Sequence, residues 1–139
     1  MIIEVTTQLP ATTKTVWQAL TDPVQMRQWY FDNIPDFMPE VGFATEFPVQ
    51  SEARTFTHLW TVTKVVPQQE LCYRWQYREY PGEAEAIFQL SPDSDGTRLF
   101  LRFAGLDTFP NGIPEFTEAA CRGGWRYFLQ EQLPAYLVG

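Results

Sequence analysis

The sequence predicts an α+β domain in which one long C-terminal helix packs on a curved, antiparallel, six-stranded sheet. Three observations predict it. Six segments carry β-branched and aromatic residues in the period-two alternation of half-buried strands. Two helix-start signals, Thr12 to Thr15 and Asp22-Pro23, fall between the first and second of these. The stretch Ile113 to Leu137 is the one element long enough to cover the apolar sheet face.

Ile2 to Leu9 opens the chain as a strand with Ile3, Val5, Thr7 and Leu9 on one side, and Pro10 ends it. Thr12-Thr13-Lys14-Thr15 then offers caps ahead of Val16, Trp17 and Leu20. Asp22 serves as N-cap and Pro23 as first residue of a second short helix, with Met26 and Trp29 on its inner face. Two prolines make Asn33 to Pro39 a loop. Strands follow at Val41 to Val49, Thr55 to Val66, Leu71 to Arg78, Glu83 to Leu90 and Thr97 to Ala104. Turns are expected at Pro67 to Glu70, at Pro81-Gly82 and at Asp93 to Gly96. Arg74, Arg78, Glu83, Glu85, Arg98 and Arg102 fall opposite the apolar stripe, which reads as a solvated face with cross-strand ion pairs.

The last helix contains Gly123-Gly124-Trp125. Each interior glycine costs up to about 1 kcal/mol relative to alanine. The pair therefore predicts a bend there, or a close approach to the helix backbone. Pro134 removes a further hydrogen bond and predicts a kink near the end.

Composition excludes several functions. The net charge is -7 and no stretch is basic, so nucleic acid and acidic membrane surfaces are poor partners. Cys72 and Cys121 stand alone without a Cys/His cluster, which predicts reduced thiols and no structural zinc. No run of about 20 apolar residues could span a bilayer. MIIEVTTQLP lacks the basic start and apolar run of a signal peptide, so a cytoplasmic location is expected. No nucleotide fingerprint or hydrolase elbow occurs, and no cofactor is expected.

Aromatic residues are 16% of the chain, and they carry the binding argument. Trp29, Phe37, Phe47, Trp60, Trp75, Phe88, Phe103, Trp125 and Phe128 converge between sheet and helix. Packed fully, they form a core. With the helix standing off, they line an apolar pocket. Tyr73, Tyr77 or His58 then supplies a directional hydrogen bond. His58 is the one histidine, and sequence spacing gives it neither an orienting acid nor a nucleophile. Asp32, Asp36, Glu40 and Glu46 cluster in sequence, where two could meet at a cavity mouth. Alternation sends Glu46 to the outer face.

Val16-Trp17-Gln18-Ala19-Leu20-Thr21-Asp22-Pro23, with Trp29 beyond it, resembles the opening of the START-like (SRPBCC) helix-grip superfamily. The Trp75 strand, the turn Asp95-Gly96-Thr97 and the Gly124-Trp125 helix resemble one branch, related to the C-terminal domain of the activator of heat-shock protein 90 ATPase. The resemblance implies a helix-grip fold of order β-α-α-β-β-β-β-β-α over residues 1–139, with a cavity between helix and sheet. It implies a small hydrophobic molecule as ligand. The alternatives it implies are a co-chaperone with a chaperone partner, through the Trp29 to Pro39 loop, and an enzyme acting on a hydrophobic substrate. Monomer and homodimer both remain open.

Overall fold

The computed structural model describes residues 1–139. Strand β1 (Ile2–Leu9) is followed by α1 (Thr13–Thr21) and α2 (Pro23–Trp29), then by β2 (Ala44–Ser51), β3 (Arg54–Val66), β4 (Glu70–Tyr77), β5 (Tyr80–Asp93) and β6 (Gly96–Ala104). Short 3₁₀ turns at Leu106–Thr108 and Pro114–Phe116 lead into α3 (Glu118–Arg126), a widened π turn (Tyr127–Gln132) and α4 (Leu133–Val138). These last three run on without a break as the C-terminal helix. The six strands form one antiparallel sheet in the order β1-β6-β5-β4-β3-β2.

The predicted caps form. Thr12 Oγ1 accepts from Thr15 N–H at 3.2 Å, and Asp22 Oδ1 accepts from Val24 N–H at 3.0 Å. The Trp29 indole N–H donates to the Ala19 carbonyl at 2.9 Å and so ties α2 back onto α1.

Registry explains how the sheet receives the helix. Ile3, Phe103, Ala86, Tyr73 and Val62 lie side by side across five strands, and all are buried. Alternation had placed each on the inner face. Trp125 sits over this surface, with ring centroids 5.4 Å from Trp75, 5.6 Å from Phe103 and 5.8 Å from Phe88. Ala84 and Ala86 on the intervening strand leave room for the indole, because larger side chains there would claim the same space. Trp125, Leu129 and Leu133 are the buried seam of the helix.

Four expectations need correction. The C-terminal α-helix starts at Glu118 and not at Ile113, because Thr117 is extended and caps it by accepting from Ala120 N–H. Pro81-Gly82 is no turn. The hairpin turns at Arg78-Glu79 with Tyr77 opposite Tyr80, and the partners step from Trp75↔Ala84 to Tyr77↔Tyr80, leaving a bulge that holds Pro81 and Gly82. Gly82 is needed there: at φ +118, a Cβ would lie 2.6 Å from the Thr108 carbonyl oxygen. The third correction is that no side chain or backbone crowds Gly123 or Gly124, where a Cβ would meet nothing within 4 Å. The fourth is that helix irregularity starts at Tyr127 and answers Pro134. Leu133 N–H donates to the Phe128 carbonyl, five residues back, and the wider turn moves carbonyls away from the proline ring.

No helix is long and apolar enough to cross a membrane.

Candidate ligand cavity

Between the concave sheet and α3 lies an open cavity of about 270 Å³. Its sheet wall comes from inward residues of β2, β3, β4 and β6, including Val49, Phe56, His58 and Trp75. Its helix wall is Ala120, Cys121, Gly124, Trp125 and Phe128. The segment between β6 and α3 closes one end with Leu106, Phe109 and Phe116. Two larger hollows lie elsewhere on the surface, about 360 and 370 Å³; polar residues dominate the first, and the second mixes Leu59 and Trp60 with Thr45, Glu46 and Thr61. Neither has the predominantly apolar wall that small-molecule sites favour.

Of the aromatic and histidine candidates, His58, Trp75, Tyr77, Phe103, Trp125 and Phe128 come together on the cavity wall. Trp29, Phe37, Phe47, Trp60, Tyr73 and Phe88 do not reach it and pack as core, each at most 3% exposed. Tyr73 spends its hydroxyl on Tyr30, 2.8 Å away inside the core, so it is not free for a ligand. Sequence reasoning missed Phe31, Phe109 and Phe116. Phe31 follows the end of α2, Phe109 lies in irregular backbone where no periodicity assigns a face, and Phe116 falls within the helix expected from Ile113 but sits in the 3₁₀ turn ahead of it. Phe56 and Val49 had been assigned to inward stripes, and that alternation was the available signal.

His58 is buried and held in one tautomer. Its Nδ1 lies 2.9 Å from the Phe56 carbonyl, which can only accept, so Nδ1 carries the proton and Nε2 carries the lone pair. Its ring stacks on Phe47 at 5.0 Å and meets Trp75 edge-on at 5.2 Å. Burial pushes its pKa down to about 4, against small upward pulls from the Phe56 carbonyl and the Glu79 carboxylate. The ring is therefore uncharged at neutral pH. No carboxylate bonds to it. Glu79 is engaged by Thr57 through both backbone N–H and hydroxyl, the former at 2.7 Å. The acid–histidine pair of acid/base catalysis is not formed.

Two more polar groups belong to the wall. The Trp75 indole N–H is buried without an acceptor in hydrogen-bonding geometry. Burial also pushes the Tyr77 phenol well above its usual range, although the Trp75 indole N–H, directed toward the phenol but forming no hydrogen bond with it, works the other way. Glu115 is the one carboxylate in the wall. It accepts from Arg54 Nε at 2.9 Å and from Ser51 Oγ at 2.8 Å, and these bonds, Arg54's first, hold its pKa below the ordinary value. Asp32, Asp36, Glu40 and Glu46 stay exposed away from the cavity, and Glu46 pairs with Arg78 on the outer face. Cys121 faces the cavity as a free thiol that burial raises to about 12. No three His, Cys, Asp or Glu side chains gather in a way that could hold a metal ion.

The family described as "Activator of Hsp90 ATPase homolog 1-like protein" matches residues 10–138. No curated protein matches the chain. Among solved structures, protein CV1439 from Chromobacterium violaceum superposes with a TM-score of 0.83 at 22% identity, covering 99% of this chain and 97% of that one. Protein MLL2253 from Mesorhizobium loti gives 0.74 at 26% identity, with the same coverage of 99% and 97%. An Aha1 from Colwellia psychrerythraea, solved as a dimer in solution, gives 0.73 at 20% identity, covering 99% and 96%. The strand order, the gripped helix and the match over nearly the whole length agree: the chain belongs to the family of activator of Hsp90 ATPase homolog 1-like proteins, within the SRPBCC superfamily.

Proposed function

We propose that residues 1–139 act as one START-like domain that binds a small apolar or amphipathic molecule between the sheet and the C-terminal helix. The observation that carries this reading is the cavity itself. Thirteen of its seventeen lining residues are apolar, so its contents are better satisfied by an apolar molecule than by water. The volume is near the lower end of the roughly 300–1,000 Å³ typical of small-molecule sites. Gly124 supports the same reading. A glycine there costs helix stability, and the space it leaves belongs to the cavity and not to a neighbouring side chain.

Native mass spectrometry of the purified protein, beside a denatured sample, tests it. A reproducible extra mass that is lost on denaturation is the expected result. A bare chain mass, together with no uptake from a panel of apolar compounds, would count against it.

Family membership supports a second reading, a co-chaperone-like contact with a chaperone. Trp29, Ile34 and Phe37 are buried, so the loop after α2 offers a partner mainly its acidic residues and the exposed Met38 and Val41. The chaperone's ATPase rate with and without this protein decides that reading, and an unchanged rate rejects it.

A further inference from the structure

We infer, building on the binding reading above, that the cavity's occupant is an uncharged aromatic molecule carrying a hydroxyl or N–H group that donates to Nε2 of His58.

The donor requirement follows from hydrogen-bond accounting. The Phe56 carbonyl fixes the His58 proton on Nδ1, so the ring offers the cavity a lone pair and no proton. No hydrogen bond within the chain reaches Nε2, and this nitrogen is open to the cavity that His58 lines although the residue as a whole is 5% exposed. An occupant that screens this acceptor from water without offering a donor forfeits a hydrogen bond, and a ligand hydroxyl or N–H avoids that cost. The low pKa of His58 keeps this lone pair available at neutral pH. Trp75, beside it in the wall, has an indole N–H without an acceptor. A hydroxyl is both donor and acceptor and so matches the pair of unmet groups better than an amine does.

Absence of free charge in the wall sets the second requirement. No lysine or arginine lines the cavity, so a carboxylate or phosphate would enter without a counter-ion and beside Glu115. A cation fares no better at that carboxylate, which Arg54 and Ser51 already occupy. The third requirement comes from shape. The rings of Phe31, Tyr77, Phe116, Trp125 and Phe128 present faces and edges at several tilts, the surface on which another flat ring finds offset and edge-on contacts.

The test is calorimetric titration of the full chain with naphthol, naphthalene, naphthoate and naphthylmethylammonium at neutral pH, repeated on His58→Phe. Naphthol should bind about tenfold more tightly than naphthalene, with both ions weaker than either. In His58→Phe the preference for naphthol should disappear while naphthalene still binds. A nitrogen-resolved NMR spectrum of the unsubstituted protein gives an independent readout, because naphthol should shift Nε2 of His58 and leave Nδ1 nearly in place. Equal binding of naphthol and naphthalene, an unmoved Nε2 resonance, or tighter binding of either ion overturns this inference and leaves the cavity reading standing. Failure of all four probes to bind overturns both.

Discussion

Arg54 Nε donates to Glu115 Oε1 at 2.9 Å and joins two segments 61 residues apart in sequence. Arg54 begins β3, and Glu115 lies in the 3₁₀ turn before α3. Ser51, at the end of β2, bonds to the same carboxylate. The β2–β3 hairpin is thereby clasped to the segment that ends the cavity. Both side chains are partly exposed, so their value to global stability is small. Their effect should be local. Glu115→Gln is expected to speed hydrogen exchange of the Phe116 and Thr117 amides while leaving Trp125 unchanged. The clasp should also loosen in acid. Glu115 is depressed below the ordinary carboxylate range, so its contribution is present above that range and is lost as pH falls through the depressed value. Unaltered exchange in the variant would show that the turn is held by Phe116 packing alone.

His58 predicts a pH dependence of opposite origin. The unfolded chain takes up a proton near pH 6.5, whereas the buried ring resists until about 4. The unfolded state therefore binds more protons across this window, and stability falls as pH falls through it. The full difference corresponds to about 3 kcal/mol. Urea unfolding at intervals from pH 7 to about 4 should show the decline in the unsubstituted protein and a shallower one in His58→Phe. Parallel curves for the two proteins would mean that the carboxylates account for the acid sensitivity.

The paired glycines separate stability from binding. Gly123 is exposed and helical, and a methyl group there meets nothing, so Gly123→Ala should stabilise the protein by about 0.5–1 kcal/mol. Gly124→Leu should leave the fold intact but push a side chain into the cavity and abolish ligand uptake. Thermal unfolding checks the first, and mass spectrometry or calorimetry the second. Retained uptake in Gly124→Leu would place the ligand elsewhere.

Both cysteines should be chemically quiet. Cys72 and Cys121 are each raised to about 12, chiefly by burial, so little thiolate exists at neutral pH. A thiol reagent should label neither at pH 7.5 until denaturant is added. Fast labelling of Cys121 in the folded protein would indicate that the cavity opens widely.

The fold was legible where residues obey a period or a cap. Phe56, His58, Trp60 and Val62 alternate on β3, and all four point inward. Asp22-Pro23 marks the α1–α2 junction because its chemistry is local. The cavity was half legible. Alternation put Trp75 and Trp60 on the same face, but it could not say that Tyr30, Phe47 and Tyr73 close round Trp60 while Trp75 borders the cavity. That depends on what the helices and the α2–β2 connection bring over each strand, a tertiary quantity. Phe109 was invisible for a different reason, since irregular backbone carries no period, and Phe116 because the helix expected from Ile113 begins only at Glu118. Pro81-Gly82 misled because a bulge and a turn ask for the same two residues.

The widened turn at Tyr127–Gln132 has a consequence for chain length. Trp125, Leu129 and Leu133 recur every four residues, a spacing that drifts by about 40° per step around an ordinary α-helix. The π turn absorbs part of that drift and keeps the later residues against the sheet. Deleting any one residue between Tyr127 and Gln132 should let an ordinary α-turn replace the wide one, because the roughly 100° lost with the residue offsets the under-winding that the wide turn supplies. Leu133 should then keep its place against the sheet. Elsewhere in the helix the same deletion would rotate the seam away, so this turn is the one place where the helix can lose a residue and keep its face.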